Sequence, residues 1–399
     1  MGSRLAVKAL AWHGRRDVRV DDVPDPKIEQ PTDTIVRITS TGLCGSDLHL
    51  YEVLGPFLSE GDILGHEPMG VIEEVGSEVT ELSPGDRVVI PFNVSCQQCW
   101  MCEHGLNSQC ETTQNRDQGM GASLFGYTKL YGQMPGGQAE FLRVPFGNTL
   151  PIKVPDGPPD DRFLYLSDVL PTSWQAVQYA NIPDGGSVTV LGLGPIGDMS
   201  SRIAKHLGYR VIGVDFVPER LERARQTGIE VLNLEDHEKD LAEVVREMTD
   251  GRGTDAVIDA VGMEAHGAPI GELAQKVTGL LPDALAERIM KTAGADRMSA
   301  INLAIDIVRR GGTISLSGVY GGMASPMPML TLFDKQITIN QGQANVWRWV
   351  EDILPLLDDD DVLGVESFAT HKVPLADAPQ AYETFQKKQD GAVKIVFQP

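Results

Sequence analysis

Up to about residue 150, short stretches alternate apolar and polar positions between Gly/Pro turns: DTIVRITSTG, GVIEEVGSEV, DRVVIPF and AEFLRVP. Period-two runs rich in Val and Ile predict half-buried strands, so this part of the chain reads as an irregular, mostly-β domain. The pattern changes at the Pro/Asp-rich segment PIKVPDGPPDD. Beyond it, apolar runs alternate with helical periodicity: SVTVLGLG, a helix opening at Pro195, YRVIGVD, PERLERARQTG, DAVIDAVG and GGTISLSG. That alternation predicts βαβ units and a doubly wound parallel sheet. The last sixty or so residues return to mixed elements and end in AVKIVFQP, a strand able to rejoin the first domain. The expectation is an α/β chain with a mostly-β domain over 1–170 and 341–399, interrupted by a parallel-sheet domain over 171–340.

Length agrees with this division, because 399 residues exceed what one compact core usually holds. The 34 basic against 56 acidic residues give a net charge of −22, a surface that repels phosphate backbones and anionic lipid. Nucleic acid and membranes are therefore not expected as partners. No apolar run approaches the roughly eighteen residues of a membrane span, and MGSRLAVKAL is too short and weakly apolar for a signal peptide.

Four of the five cysteines crowd into VSCQQCWMCEHGLNSQC, as Cys96-x2-Cys99-x2-Cys102-x7-Cys110. A secreted disulfide framework would leave one of five unpaired, and CxxCxxC spacing favours metal. Four thiolates close a tetrahedral zinc site that holds structure and leaves no open position, here a lobe over 93–112. Cys44 stands apart in GLCGSDLH, with Gly65-His66-Glu67 about twenty residues on. Cys44 and His66 point to a second site of a different kind, with a position free for water or substrate. Cytoplasmic localisation is the expectation.

A dinucleotide site is expected in SVTVLGLGPIGDMSSRIAKHLGYRVIGVD. Gly192 permits the tight turn, Gly194 lets backbone approach pyrophosphate, and Gly197 allows close helix–strand packing, with Pro195 and Ile196 opening the helix. The helix N-terminus offers free N–H groups to the phosphates. Asp215, ending the next strand, would bind the ribose hydroxyls and repel a 2′-phosphate, which favours NAD over NADP. Arg220 keeps an NADP reading open, or is a surface helix charge.

The run Cys44-Gly45-Ser46-Asp47-Leu48-His49, then Gly65-His66-Glu67-x2-Gly70-x5-Gly76, resembles the zinc-dependent alcohol dehydrogenases of the medium-chain dehydrogenase/reductase superfamily. The four-cysteine lobe and GLGPIG match the same family in the same order, and the resemblance spans essentially the whole chain. It implies a GroES-like β domain carrying zinc chemistry and a Rossmann domain carrying NAD, two zinc ions per subunit, and a homodimer or homotetramer. By resemblance, Cys44 and His66 are catalytic zinc ligands, and Glu67 is an acidic neighbour or exchangeable ligand. The animal liver enzymes use a cysteine as third ligand. No sixth cysteine exists here, and Asp168 in LYLSDVLPTSWQAV occupies the matching position, as in bacterial relatives that include formaldehyde dehydrogenases and dismutases. Asp168 could instead be a helix N-cap, with Glu67 the fallback ligand.

The resemblance further implies a proton relay from the substrate oxygen through Ser46 and the cofactor ribose to His49, whose near-neutral pKa suits the outer end. Ser46 could also cap a helix, and His49 could be a surface histidine. Asp47 is expected to accept a hydrogen bond from His66 and fix its tautomer, or to be a first-turn acid. Thr172 is placed toward the nicotinamide, Phe92 on the substrate pocket wall or in the β core, and Lys394 on the pyrophosphate or at the surface. The segment 263–297 is longer than the usual link and helical in pattern, a surface or subunit-contact decoration or a cap on the adenosine end of NAD. The implied activity is hydride transfer between a small alcohol, or an aldehyde hydrate, and NAD. A formaldehyde or small-aldehyde dehydrogenase or dismutase with tightly held NAD is the alternative within the class. A non-catalytic NAD-binding protein and a zinc or redox sensor are the alternatives outside it.

Overall fold

The computed structural model describes residues 6–237, 240–262, 298–320, 327–358 and 360–399. They form two compact units, one comprising the residues up to Pro171 with Ala344–Pro399, the other Thr172–Gln343. The helical segment expected over 263–297 lies outside the described residues.

In the first unit, β1 (Val7–Gly14) and β2 (Asp17–Val23) pair as an antiparallel ribbon. Beside it is a seven-stranded sheet built from β3 (Thr34–Leu43), β4 (Glu67–Val75), β5 (Arg87–Val89), β6 (Phe141–Val144), β7 (Ile152–Lys153), β14 (His371–Pro374) and β15 (Ile395–Gln398). Its order is β14-β15-β3-β4-β5-β7, with β6 also pairing β3. The longest strand, TIVRITSTGL, is buried along most of its length because three strands pair with it. Two registers bring distant segments together. β3 and β4 run antiparallel with Gly42 opposite Glu67, so the end of β3 and the start of β4 bring Cys44 and His66 to the same place. The expected return of AVKIVFQP also occurs: β15 pairs antiparallel with β3, Ile395 opposite Leu43.

Helix α1 (Gly45–Glu52) starts as β3 ends, with Cys44 in the extended N-cap conformation, φ −101° and ψ 155°. α2 (Trp100–Glu103) is a single turn inside the four-cysteine segment. α3 (Val169–Tyr179) begins immediately after Asp168.

In the second unit, β8 (Ser187–Leu191), β9 (Arg210–Asp215), β10 (Glu230–Asn233), β11 (Ala256–Asp259), β12 (Thr313–Leu316) and β13 (Thr338–Gln341) form a six-stranded parallel sheet of order β10-β9-β8-β11-β12-β13. Numbered from the first strand of the sheet this is 3-2-1-4-5-6, the doubly wound order whose switch point lies beside β8. SVTVL and AVID are apolar and almost wholly buried, as expected of parallel strands covered on both faces. α4 (Pro195–His206) follows β8 with proline at its first position, where a missing N–H costs nothing.

Candidate metal and dinucleotide sites

The four-cysteine lobe has the dimensions of a metal cage. One donor atom from each of Cys96, Cys99, Cys102 and Cys110 lies within 4.8 Å of the others. Cys110 Sγ is 3.6 Å from Cys96 Sγ and 3.9 Å from Cys99 Sγ. Bonded sulfurs would lie near 2.05 Å, whereas a tetrahedron with Zn–S of 2.3 Å has edges of about 3.8 Å. All five cysteines are accordingly free. Donors already point at these sulfurs: Cys96 N–H at Cys110 Sγ (3.4 Å), Glu111 N–H at Cys99 Sγ (3.3 Å) and the Thr112 hydroxyl at Cys96 Sγ (3.2 Å). A hydrogen bond from Cys102, with those from the Cys96 and Thr113 backbone, pulls the Cys110 thiol well down. The lobe fits a thiolate-bound ion.

The second cluster is made by Cys44, His66, Glu67 and Asp168, all buried, whose donor atoms also lie within 4.8 Å of one another. Asp168 Oδ2 is 3.6 Å from Cys44 Sγ and 3.5 Å from His66 Nε2. Ordinary zinc–ligand lengths on a tetrahedron give about 3.6 Å for S···O and about 3.4 Å for N···O. The donor set therefore fits a zinc ion as it stands. Asp168 precedes α3, the position of its alternative reading as a cap, but its carboxylate is turned into this cluster.

Burial pushes the Cys44 thiol up to about 11, and the nearby Asp168 and Glu67 carboxylates add to the effect. Burial alone would lower His66. The Asp47 charge and the contacts with Asp168 and Asp47 outweigh it and raise His66 well above its usual value. A divalent cation among these groups would reverse that balance, because the ligands bind as thiolate and neutral imidazole.

Asp47 sits in the first turn of α1, and its carboxylate reaches both Cys44 and His66, which come from separate segments. Oδ2 accepts from Cys44 N–H at 3.0 Å, and Oδ1 lies 3.0 Å from His66 Nδ1, close but imperfectly aligned for a hydrogen bond. Asp47 is thus the first-turn acid of α1, and its contact with His66 is a close ion pair rather than an aligned hydrogen bond. Ser46 is the second residue of α1, and Cys44, not Ser46, is the N-cap. The Ser46 hydroxyl lies 3.1 Å from His66 Nε2. His49 is half-buried one turn along the same helix. Phe92 is 8% exposed and meets the His66 ring edge-on at 6.3 Å, so it is at once core and wall of the cluster. Tyr127 also meets that ring, at 6.4 Å and 87°, a neighbour that no spacing in the sequence announces.

Lys394 is the correction. Expected on a pyrophosphate, it is wholly buried, its ammonium bonded to Glu67 Oε2 and, at 3.0 Å, to the Leu43 carbonyl. The pairing of β15 with β3 carries it there. Glu67 is equally buried, which raises its pKa against the opposing pull of Lys394, and its Oε1 has no hydrogen-bond partner. Gly42 makes the space: a Cβ there would sit 1.9 Å from Glu67 Oε2.

In the second unit the glycine loop has the expected form. Gly192 has φ +81°, a conformation that favours glycine, and a Cβ on Gly197 would lie 1.7 Å from the Gly192 carbonyl. A Cβ on Gly194 would meet nothing nearer than Arg220 Nη1 at 3.7 Å. Asp215 accepts from Leu193 N–H at 2.7 Å through Oδ2 and from Phe216 and Val217 N–H at 2.7 and 2.9 Å through Oδ1. Arg220 Nη1 stands 3.7 Å from Oδ2. Asp215 therefore ties β9 to the glycine loop, with lone-pair capacity left for a ribose hydroxyl. Thr172 lies half-buried in the first turn of α3.

Comparison with known proteins points the same way. The family model described as "Alcohol dehydrogenase GroES-like domain" matches residues 30–156, and that described as "Zinc-binding dehydrogenase" matches 195–268. The chain is 40% identical over 402 residues to the zinc-type alcohol dehydrogenase-like protein AdhB of Bacillus subtilis, covering 98% of this chain and all of that one. It is 31% identical over 425 residues to formaldehyde dismutase of Pseudomonas putida, covering 98% and 97%. Among solved structures, the alcohol dehydrogenase TADH from Thermus sp. ATN1 superposes with a TM-score of 0.80 at 32% identity, covering 98% of this chain and 99% of that one.

Proposed function

From the premise that this chain belongs to the zinc-type alcohol dehydrogenases of the medium-chain dehydrogenase superfamily, we propose that it interconverts a small primary or secondary alcohol and its carbonyl compound with NAD. The observation that carries the reading is the convergence of Cys44, His66 and Asp168 at tetrahedral-edge spacing. They would hold a catalytic zinc ion, and Cys96, Cys99, Cys102 and Cys110 a second, structural one. Bound zinc supplies Lewis acidity toward the substrate oxygen, and bound NAD supplies the hydride acceptor.

The chain's own residues do the rest. Asp47 orients the His66 ring and the Cys44 backbone. The Ser46 hydroxyl would accept the alcohol proton while giving up its own, and His49, one turn along α1, would be the outer group of that relay. Phe92 and Tyr127 wall the His66 side of the cluster with apolar surface, which suits a small organic substrate. In the second unit Gly192, Gly194 and Gly197, with Pro195 and Ile196, would receive the pyrophosphate at the start of α4, and Thr172 the nicotinamide side. Asp215 would take the ribose hydroxyls and disfavour a 2′-phosphate. Among the described residues no helix is long and apolar enough to cross a membrane. Five free thiols suit a reducing compartment, and we place the protein in the cytoplasm as a homodimer or homotetramer.

Initial rates with a panel of alcohols and aldehydes, including formaldehyde, are to be measured with and without added NAD alongside metal content. Zinc-dependent NADH formation is expected; no zinc-dependent turnover of any alcohol or aldehyde would defeat the reading. A second reading, a formaldehyde or small-aldehyde dehydrogenase or dismutase, draws support from the aspartate at position 168 and the similarity to formaldehyde dismutase. Turnover of formaldehyde to methanol and formate without added NAD would select it.

A further inference from the structure

Asp47 is itself held from behind, by two residues from distant parts of the chain. Gln138 Nε2 donates to Asp47 Oδ2 at 3.3 Å and to the Gly42 carbonyl at 3.2 Å. The Tyr382 hydroxyl donates to Gln138 Oε1 at 2.8 Å. The three side chains are all wholly buried.

Their chemistry leaves one arrangement. A carboxylate and a carbonyl only accept, so the amide must turn its NH2 toward Asp47 and Gly42. Its oxygen then faces Tyr382, and the phenol must donate. Burial raises the Tyr382 phenol well above its usual value, so it keeps the proton this requires. Each polar atom of the Gln138 side chain is satisfied, which is the condition for a buried polar chain to be rigid.

The backbone is fixed as firmly. Gln138 N–H donates to the Leu64 carbonyl at 3.0 Å, and its own carbonyl accepts from Leu10 N–H at 2.8 Å. Gly65, with φ +96°, lets it approach, since a Cβ there would lie 2.3 Å from Gln138 Cγ. The Tyr382 ring packs against Tyr51 of α1 at 5.5 Å and stacks with Phe397 of β15 at 6.4 Å and 2°. The row Tyr382–Gln138–Asp47 is thus hydrogen-bonded from the apolar core of the first unit, and Asp47 Oδ1 ends it 3.0 Å from His66 Nδ1.

We infer that Gln138 and Tyr382 are positioning residues for the metal: they hold the Asp47 carboxylate at the angle that keeps His66 and Cys44 ready to ligate. The inference rests on the proposed catalytic zinc site. Without Gln138, Asp47 Oδ2 keeps only the Cys44 N–H and its carboxylate can swing about that bond. His66 loses a fixed partner, although no metal ligand has been touched.

The test uses zinc-loaded wild type, Tyr382→Phe, Gln138→Leu and the double variant, with zinc transfer to a chromogenic chelator and the absorption bands of cobalt substituted at the cluster as readouts. Gln138→Leu should weaken retention of the catalytic zinc about ten- to hundredfold and shift the cobalt bands. Tyr382→Phe, which preserves packing, should give a smaller change of the same kind. The double variant should match Gln138→Leu alone, because Tyr382 acts through Gln138. Zinc in the four-cysteine lobe should be retained as in wild type. Unchanged retention and unchanged cobalt bands in both single variants would overturn the inference, as would loss of both zinc ions in step with a general loss of folding. Wild type that takes up no metal at Cys44, His66 and Asp168 would instead remove the zinc reading beneath it.

Discussion

Lys394→Met should be among the most costly single substitutions in this chain that touch no proposed metal ligand. It removes a wholly buried ammonium from a wholly buried carboxylate while keeping most of the side-chain volume. Deleting one partner of such a pair costs about 3–5 kcal/mol, because the other charge is left without water and without a counter-ion. The Leu43 carbonyl loses a donor at the same time. A cation among Cys44, His66 and Asp168 offers Glu67 a second partner, through the oxygen that now has none, so the lower end applies to the zinc-loaded protein. About 3 kcal/mol in a unit of this size is roughly 6–12 °C of unfolding midpoint. The double variant Lys394→Met, Glu67→Gln removes the stranded charge and should recover at least half of that loss, so the two substitutions are far from additive. Thermal unfolding followed by circular dichroism on all four proteins measures it. A Lys394→Met midpoint within 2 °C of wild type (below the roughly 6 °C expected), or a double variant that loses as much as the two singles together, would refute the reasoning.

Cys102→Ser should lower zinc content from about two ions per chain toward one and reduce stability, measured by metal analysis and melting; retention of both metals would sink the lobe assignment. Gly197→Ala puts a methyl group 1.7 Å from the Gly192 carbonyl, so the loop and α4 must part; NAD binding by calorimetry should weaken at least tenfold, an effect of about 1.4 kcal/mol or more. Asp215→Ser deletes the acceptor of three backbone N–H groups and leaves Arg220 without its carboxylate; the ratio of kcat/KM for NAD over NADP should fall, and an unchanged ratio would count against the ribose assignment. His13 donates to Asp21 at 2.6 Å and contacts Glu60 at 3.1 Å, and the Asp21 bond raises its pKa above 6.5. Its contribution to stability is therefore complete below about pH 6.5 and is lost as pH rises through the folded-state pKa, a trend His13→Gln should abolish in melting curves across that range.

What could be read from the sequence was what lies close together along it. The four cysteines fall within fifteen residues, and GLGPIG with Asp215 within twenty-four, so local spacing carries both their identity and their geometry. The doubly wound order followed from alternating apolar runs, because each crossover is local and one-handed. Cys44, His66 and Asp168 come from three separated segments, and spacing alone did not join them; resemblance did, and the β3–β4 register gives the physical reason for the first two. The misplacement of Lys394 has a like cause. Which residue at the start of β15 meets Glu67 depends on a pairing across more than three hundred residues, and shifting a strand by one residue reverses the face of every side chain on it. Gln138, Tyr382 and Tyr127 belong to no motif, and a glutamine or tyrosine beside apolar residues has no signature that separates a buried relay from ordinary packing.

The position of β15 also bears on how the protein is made. Glu67 and Leu43 leave the ribosome more than three hundred residues before Lys394, which must arrive to neutralise that carboxylate and complete the sheet beside Cys44. The intervening parallel-sheet unit is continuous in sequence and can fold while synthesis proceeds, since domains generally fold as units during translation. The first unit cannot: its central strand lacks a partner, and its buried acid lacks a cation, until residue 394 has emerged. A nascent chain stalled before that point carries an open strand edge next to three unshielded metal-binding groups, the state most exposed to aggregation and to capture of the wrong ion.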